Sequence, residues 1–238
     1  MNSRGQAAAF FDLDGTLLPS PSLEWRFLLY LLDRDHISST SLRQWLSRFA
    51  KTILWNRRAA IEENKLYLAG LPESLVEEWQ KNLVASPVPF FADGLGRLAW
   101  HQAKGHLVFL VSGTLAPLAR AAANQLPGRV EICSTELDTM DGRWTGIVNG
   151  EHRSGEAKAR AIQDLASKFG LALEQSYAYG NDWADFPMLA SVGSPCAVNP
   201  SARLKLAARK RGWPICSWSR MQPFVRNCDV GLAVAGKI

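Results

Sequence analysis

The sequence predicts an α/β fold: a parallel sheet with helices packed around it, and an all-helical segment inserted near the start. Two patterns carry that expectation. Short apolar runs that stop at turn residues alternate with stretches of helical periodicity, the arrangement of βαβ units. Between the links Pro19-Ser20-Pro21-Ser22 and Ser86-Pro87-Val88-Pro89 only helical patterns occur. The expected division is a core of residues 1–18 and 87–238, with an insert of residues 19–86.

Ala7-Ala8-Ala9-Phe10-Phe11 is short, apolar and followed by the turn pair Gly15-Thr16, so it reads as a buried strand ending near Leu13. Ser22 is a candidate N-cap for a helix from Leu23 to Leu32. A second helix begins at Ser41, with Leu42, Trp45, Leu46 and Phe49 at helical spacing. A third covers Asn56 to Leu68 and is closed by Gly70. A fourth, opened by Pro72, runs to about Val84. Trp25, Trp45, Trp55 and Trp79 are expected in the core of this insert. Beyond it, helices are predicted over Gly94 to Lys104, Leu115 to Leu126 and Ala157 to Phe169, the last ended by Gly170. Strands are predicted over His106 to Val111, Val130 to Leu137, Ser176 to Tyr179 and Ser194 to Val198. Asp141-Gly142 marks a hairpin. The tail from Ser219 carries no legible pattern.

The chemistry-bearing segment is Phe11-Asp12-Leu13-Asp14-Gly15-Thr16-Leu17-Leu18. Its two carboxylates stand where a strand ends, the edge at which open α/β sheets bind ligands. The chain leaves the strand between them, so Asp12 and Asp14 can serve separate roles around one centre. The pattern suits phosphoryl transfer. One carboxylate attacks phosphorus and forms an aspartyl-phosphate, and a second acid protonates the leaving alkoxide and later activates water. A hard cation such as Mg²⁺ would neutralise the crowded negative charge.

This segment resembles the first motif of the haloacid dehalogenase superfamily, and the other motifs follow in order. Leu107-Val108-Phe109-Leu110-Val111-Ser112-Gly113 is similar to the second. Gly155-Glu156-Ala157-Lys158 resembles the third, and Tyr177-Ala178-Tyr179-Gly180-Asn181-Asp182-Trp183-Ala184-Asp185 the fourth. The resemblance spans about residues 7 to 200. It is nearest to the phosphoserine-phosphatase-like branch, which carries a helical cap between the first two motifs. It implies a Rossmann-like core and a Mg²⁺-dependent phosphatase acting on a small phosphorylated metabolite. Asp12 becomes the nucleophile and Asp14 the general acid and base. Ser112 and the Gly113 N–H hold the phosphoryl oxygens, and Lys158 bridges phosphate and Asp12.

Haloalkanoate dehalogenation, the superfamily's other chemistry, needs no acid at the second position, so Asp14 argues for phosphate esters. The metal set implied is Asp12, Asp14, Asn181, Asp182 and Asp185. Here the sequence departs from the family pattern, because Asn181 follows the strand-end Gly180 where an acid is usual. Asn181 and Asp182 both stand as candidates for the direct ligand, and Asp185 fits an outer ligand or an anchor for Lys158. Family members that act on phosphoserine carry an acid soon after the first motif. Pro19-Ser20-Pro21 fills that region and Glu24 lies further on, which argues against phosphoserine. The competing classes are a non-catalytic phosphometabolite-binding module, favoured by Asn181 alone, and a phosphotransferase to an acceptor other than water.

Bulk properties agree. The 238 residues suffice for a sizeable core, with 47% hydrophobic and 21% charged residues. A net charge of +5 suits an anionic substrate and does not indicate nucleic acid. Arg203, Lys205, Arg209, Lys210 and Arg211 read as the polar face of a helix. Cys133, Cys196, Cys216 and Cys228 lack C-x-x-C spacing, which argues against zinc and for reduced thiols. No leader or transmembrane run is legible, the longest late apolar stretch being Phe27 to Leu32, so the expected location is the cytoplasm.

Overall fold

A computed structural model describes residues 5–37, 43, 45, 65–85 and 88–223. Strand β1 (Ala8–Phe11) is fully buried, as a four-residue run of Ala and Phe at a sheet centre must be. The chain then turns sharply, with Leu17 and Leu18 both donating N–H to the Leu13 carbonyl at 2.9 Å. Helix α1 (Leu23–Asp33) starts where Ser22 accepts the Trp25 N–H at 3.3 Å. Leu23, Phe27 and Leu31 form its buried face. Trp25, expected in the core, is 51% exposed, because it stands two residues from Leu23 on the far side of the helix.

A 3₁₀ turn at Leu66–Leu68 and helix α2 (Leu75–Ala85) complete the described part of this stretch. Trp79 is buried against Phe27, and Trp45 packs edge-on to Tyr67. The helix expected from Ser41 lies outside the described residues except for Arg43 and Trp45. So do Asn56 to Asn64 of the next one, with Trp55, Arg57 and Arg58.

The rest alternates: β2 (Pro89–Phe91), α3 (Ala92–Ala103), β3 (Leu107–Leu115), α4 (Ala116–Ala123), β4 (Glu131–Met140), β5 (Arg143–Asn149), α5 (Glu156–Phe169), β6 (Tyr177–Gly180), α6 (Phe186–Ala190), β7 (Ser194–Val198), α7 (Ala202–Arg211), β8 (Ile215–Cys216) and β9 (Met221–Pro223). Seven strands form one sheet in the order β5-β4-β3-β1-β6-β7-β8. All its pairings are parallel except that of β4 with β5. Asp141 and Gly142 turn that hairpin at φ 52° and 71°. The tail unread from the sequence supplies β9, which pairs antiparallel with β2 where the chain re-enters the core.

β1 lies between β3 and β6, so the C-terminal ends of all three open onto one crevice. The described helices between β1 and β2 share an apolar cluster with the sheet: Leu23, Phe27, Leu68 and Trp79 pack in one body with Phe11, Leu110 and Leu118. The β4–β5 hairpin fastens them further, through Gly70 N–H to the Trp144 carbonyl (2.8 Å) and Trp144 N–H to the Leu71 carbonyl (3.0 Å). Among the described residues no helix is long and apolar enough to cross a membrane.

Candidate active site

Asp12, Asp14, Ser112, Gly113, Lys158, Asn181, Asp182 and Asp185 all line one cavity of about 250 Å³ at the C-terminal ends of β1, β3 and β6. Every residue named from the sequence as a catalytic, phosphate-binding or metal candidate therefore lines the same cavity.

At the floor, one ammonium serves two carboxylates. Lys158 stands in the first turn of α5, where the helix dipole disfavours a cation unless something else holds it. Its Nζ donates to Asp12 Oδ1 at 2.6 Å and to Asp185 Oδ1 at 2.5 Å, with all three residues buried. Burial alone would lower the Lys158 pKa, but the two carboxylates reverse this and hold it above its usual range. The cluster keeps a surplus negative charge. Burial chiefly, and repulsion from Asp185 next, push Asp12 up to about 7 against the pull of Lys158. Asp185 has no oxygen to spare: Oδ2 accepts the backbone N–H groups of Asn181 and Asp182, both at 2.9 Å. It fixes Lys158 and the turn after β6 together.

Asp14 is held on both sides. Its Oδ1 accepts the Leu23 N–H at 2.8 Å, and its Oδ2 accepts the Thr114 hydroxyl. Thr114 in turn donates its N–H to Ser112 Oγ at 3.2 Å. Burial raises the Asp14 pKa above the usual carboxylate range, opposed by the Thr114 and Leu23 hydrogen bonds. Two glycines make these approaches possible. Gly15, at φ 86°, would with a Cβ lie 2.1 Å from the Asn181 amide nitrogen. A Cβ on Gly113 would lie 2.9 Å from the His152 ring.

Asn181 and Asp182 occupy different settings. Thr16 Oγ donates to Asp12 Oδ2 at 2.9 Å and lies 3.4 Å from Asn181 Oδ1, so one hydroxyl links the Asp12 carboxylate and the Asn181 amide. Asp182 is exposed and caps the following turn by accepting the Ala184 N–H at 3.2 Å. Among the described residues no group of three or more His, Cys, Asp or Glu side chains is arranged to hold a metal ion. The donors that do converge, a carboxylate and an amide oxygen, are hard and suit Mg²⁺, which retains several waters.

Eight lining residues were not among the site candidates read from the sequence: Ser22, Glu24, Lys65, Thr114, His152, Arg153, Ser154 and Ala184. Glu24, placed further along the chain than the family's acid, nevertheless reaches the cavity. Its Oε1 accepts the Leu115 N–H at 3.2 Å, and Lys65 Nζ donates to its Oε2. Thr114 could have been suspected as a hydroxyl beside Ser112-Gly113; Lys65, His152 and Arg153 carry no local signal. The basic cluster divides. Arg203 stacks 3.8 Å from the Trp183 ring centroid and Arg211 covers Phe186, while Lys205, Arg209 and Lys210 are exposed.

Comparison with known proteins gives a consistent picture. The family model described as haloacid dehalogenase-like hydrolase matches residues 9–190. A probable phosphatase of Mycobacterium tuberculosis is 33% identical over 235 residues, covering 91% of this chain and 77% of that protein. A phosphoserine phosphatase of the same organism is 33% identical over 220 residues, covering 88% and 70%. Among solved structures, a protein of unknown function from Bordetella pertussis Tohama I superposes with a TM-score of 0.74 at 26% identity, over 89% of this chain and 98% of that one.

Proposed function

The chain belongs to the haloacid dehalogenase-like hydrolases and is a phosphatase, and on that premise we propose that it hydrolyses a small phosphomonoester through an aspartyl-phosphate on Asp12. The observation that carries this reading is the buried bridge from Lys158 to Asp12 and Asp185, set beside a second buried carboxylate, Asp14.

Asp12 attacks phosphorus in line, the bond to the ester oxygen breaks, and its electron pair goes to that oxygen. Asp14, whose raised pKa suits a proton donor, gives its proton to the departing alkoxide. It then takes a proton from the water that cleaves the acyl phosphate. Ser112 Oγ and the Gly113 N–H, which line the same cavity, would hold the phosphoryl oxygens, and Lys158 would balance their charge. Asp12, Asp14 and the Asn181 amide oxygen would hold Mg²⁺. When bound, the cation would neutralise phosphate charge and draw the Asp12 carboxylate into its ionised form.

Residues 1–18 and 87–238 form the catalytic core, and residues 19–86 form a cap over it. Two observations support this division: the described elements between β1 and β2 are all helical, and Glu24 and Lys65 bring that stretch to the cavity wall. The test is turnover of a panel of phosphorylated metabolites and p-nitrophenyl phosphate, with and without Mg²⁺. Mg²⁺-dependent release of phosphate that disappears in Asp12→Asn is expected. Near-normal turnover in that variant would overturn the mechanism.

A further inference from the structure

The cavity wall contains a second ion pair, its lysine buried and its glutamate half-buried, that the hydrolytic mechanism does not use. Lys65 is 5% exposed, and its ammonium is bound to Glu24. The partners are 41 residues apart in sequence. Neighbouring contacts set this pair beside Asp14. Leu115 N–H is bonded to Glu24, and the preceding residue, Thr114, is bonded to Asp14. Leu23 N–H is bonded to Asp14, and the following residue is Glu24 itself. Two adjacent pairs of residues therefore hold the two acids side by side. If Asp14 protonates the ester oxygen, as the proposed function has it, the alcohol it releases lies against Glu24 and Lys65.

We propose that the Glu24–Lys65 pair is a charge filter, selecting phosphomonoesters whose alcohol carries no net charge. A buried ion pair tolerates poorly the loss of one partner, because the other is left as an uncompensated charge out of water. An alcohol bearing one ammonium would draw Glu24 away and strand Lys65. An alcohol bearing one carboxylate would draw Lys65 away and strand Glu24. An uncharged, hydroxylated alcohol hydrogen-bonds to both groups and leaves the pair intact. A zwitterionic alcohol replaces each partner with one of its own charges. Among the other described lining cations, Lys158 is committed to Asp12 and Asp185, and Arg153 makes a 3.8 Å contact with Glu151.

The test separates binding from turnover. In an Asp12→Asn background, calorimetry measures Kd for glycerol 1-phosphate and O-phosphoserine, whose alcohols are balanced, and for phosphoethanolamine and 3-phosphoglycerate, whose alcohols are not. The balanced esters are expected to bind at least tenfold more tightly. Adding Lys65→Met should shift the ratio at least tenfold towards phosphoethanolamine. Adding Glu24→Gln should shift it as far towards 3-phosphoglycerate. The double variant Glu24→Gln/Lys65→Met removes both charges and should bring the phosphoethanolamine-to-3-phosphoglycerate ratio back to the parent's while weakening O-phosphoserine, which guards against misreading a damaged fold. A parent that prefers either singly charged alcohol, or ratios that none of the variants moves, would overturn the filter. Selective binding together with no Mg²⁺-dependent wild-type turnover of p-nitrophenyl phosphate or of any ester in the panel would instead overturn the catalytic reading and leave the filter standing.

Discussion

The floor and the wall of the cavity each hold a buried lysine, and they solve the burial of charge differently. On the floor Lys158 is shared by Asp12 and Asp185, so three groups carry a net negative charge. On the wall Lys65 is matched to Glu24 alone, and the pair is neutral. A surplus of negative charge is unstable by itself and becomes favourable when a cation arrives, which is what a site awaiting Mg²⁺ and phosphorus requires. A neutral pair has nothing to gain from a charged visitor and resists one. The contrast assigns chemistry to the floor and selection to the wall.

The largest effect should come from the floor. Asp12→Asn replaces the nucleophile with an amide and should lower kcat by roughly 10⁴-fold or more while circular dichroism stays native. A kcat within tenfold of wild type would remove Asp12 from the mechanism. Lys158→Ala strands two buried carboxylates, so it should lose activity and also about 3–5 kcal/mol of stability. Urea unfolding measures that loss. Asp185→Asn should be milder in stability, because Asp12 still matches the ammonium. If Lys158→Ala cost no stability, the shared bridge would not be the feature that organises the floor.

The next prediction concerns the metal side of the floor. Asn181 is linked to the Asp12 carboxylate through the Thr16 hydroxyl, and Asp182 caps a turn at the surface. Asn181→Ala should therefore raise the Mg²⁺ concentration for half-maximal activity roughly 10–100-fold, as expected for loss of a metal-site group. Asn181→Asp should lower it. Asp182→Ala should cost about 1 kcal/mol through the lost cap and change the Mg²⁺ requirement little. The reverse ranking, read from activity against Mg²⁺ concentration, would transfer the ligand to Asp182.

What was legible in the sequence follows the same division. Asp12, Asp14, Ser112, Lys158 and Asp185 each stand at a strand end or in a helix's first turn, so local pattern places them. The sheet strands β1, β3, β4, β6 and β7 and the β4–β5 hairpin were legible for the same reason. Glu24 and Lys65 meet only because α1 and the 3₁₀ turn at Leu66–Leu68 pack against the sheet, a contact that no short window encodes. β2 and β9 escaped because each has three residues, contains proline and takes its partner from the other end of the chain. Trp25 misled because apolar character was read as burial, whereas Leu23, Phe27 and Leu31 already fill the inner face of α1.

The last prediction concerns a third buried polar group, one that avoids charge altogether. His101 is fully buried beneath the site. Its Nε2 lies 2.9 Å from the Tyr179 hydroxyl and its Nδ1 2.9 Å from His106 Nδ1. Tyr179 stacks on Phe11, the residue before Asp12. Burial first, then His106 and Arg97, press the His101 pKa down to about 3. The folded state keeps this ring neutral, while the unfolded state protonates it below about 6.5. The unfolded chain therefore binds more protons over that interval, and stability falls as the pH is lowered. The contribution is complete above about pH 6.5 and is lost progressively towards pH 3, amounting to at most about 2 kcal/mol by pH 5. His101→Asn cannot titrate, so its Tm should fall several degrees less than that of wild type between pH 7 and pH 5. Comparing the two slopes cancels the contribution of the carboxylates, Asp12 included, whose raised pKa acts in the opposite sense. Parallel slopes would mean that His101 takes up its proton inside the fold. The layer beneath the floor would then be a charged one, and neutrality would belong to the wall alone.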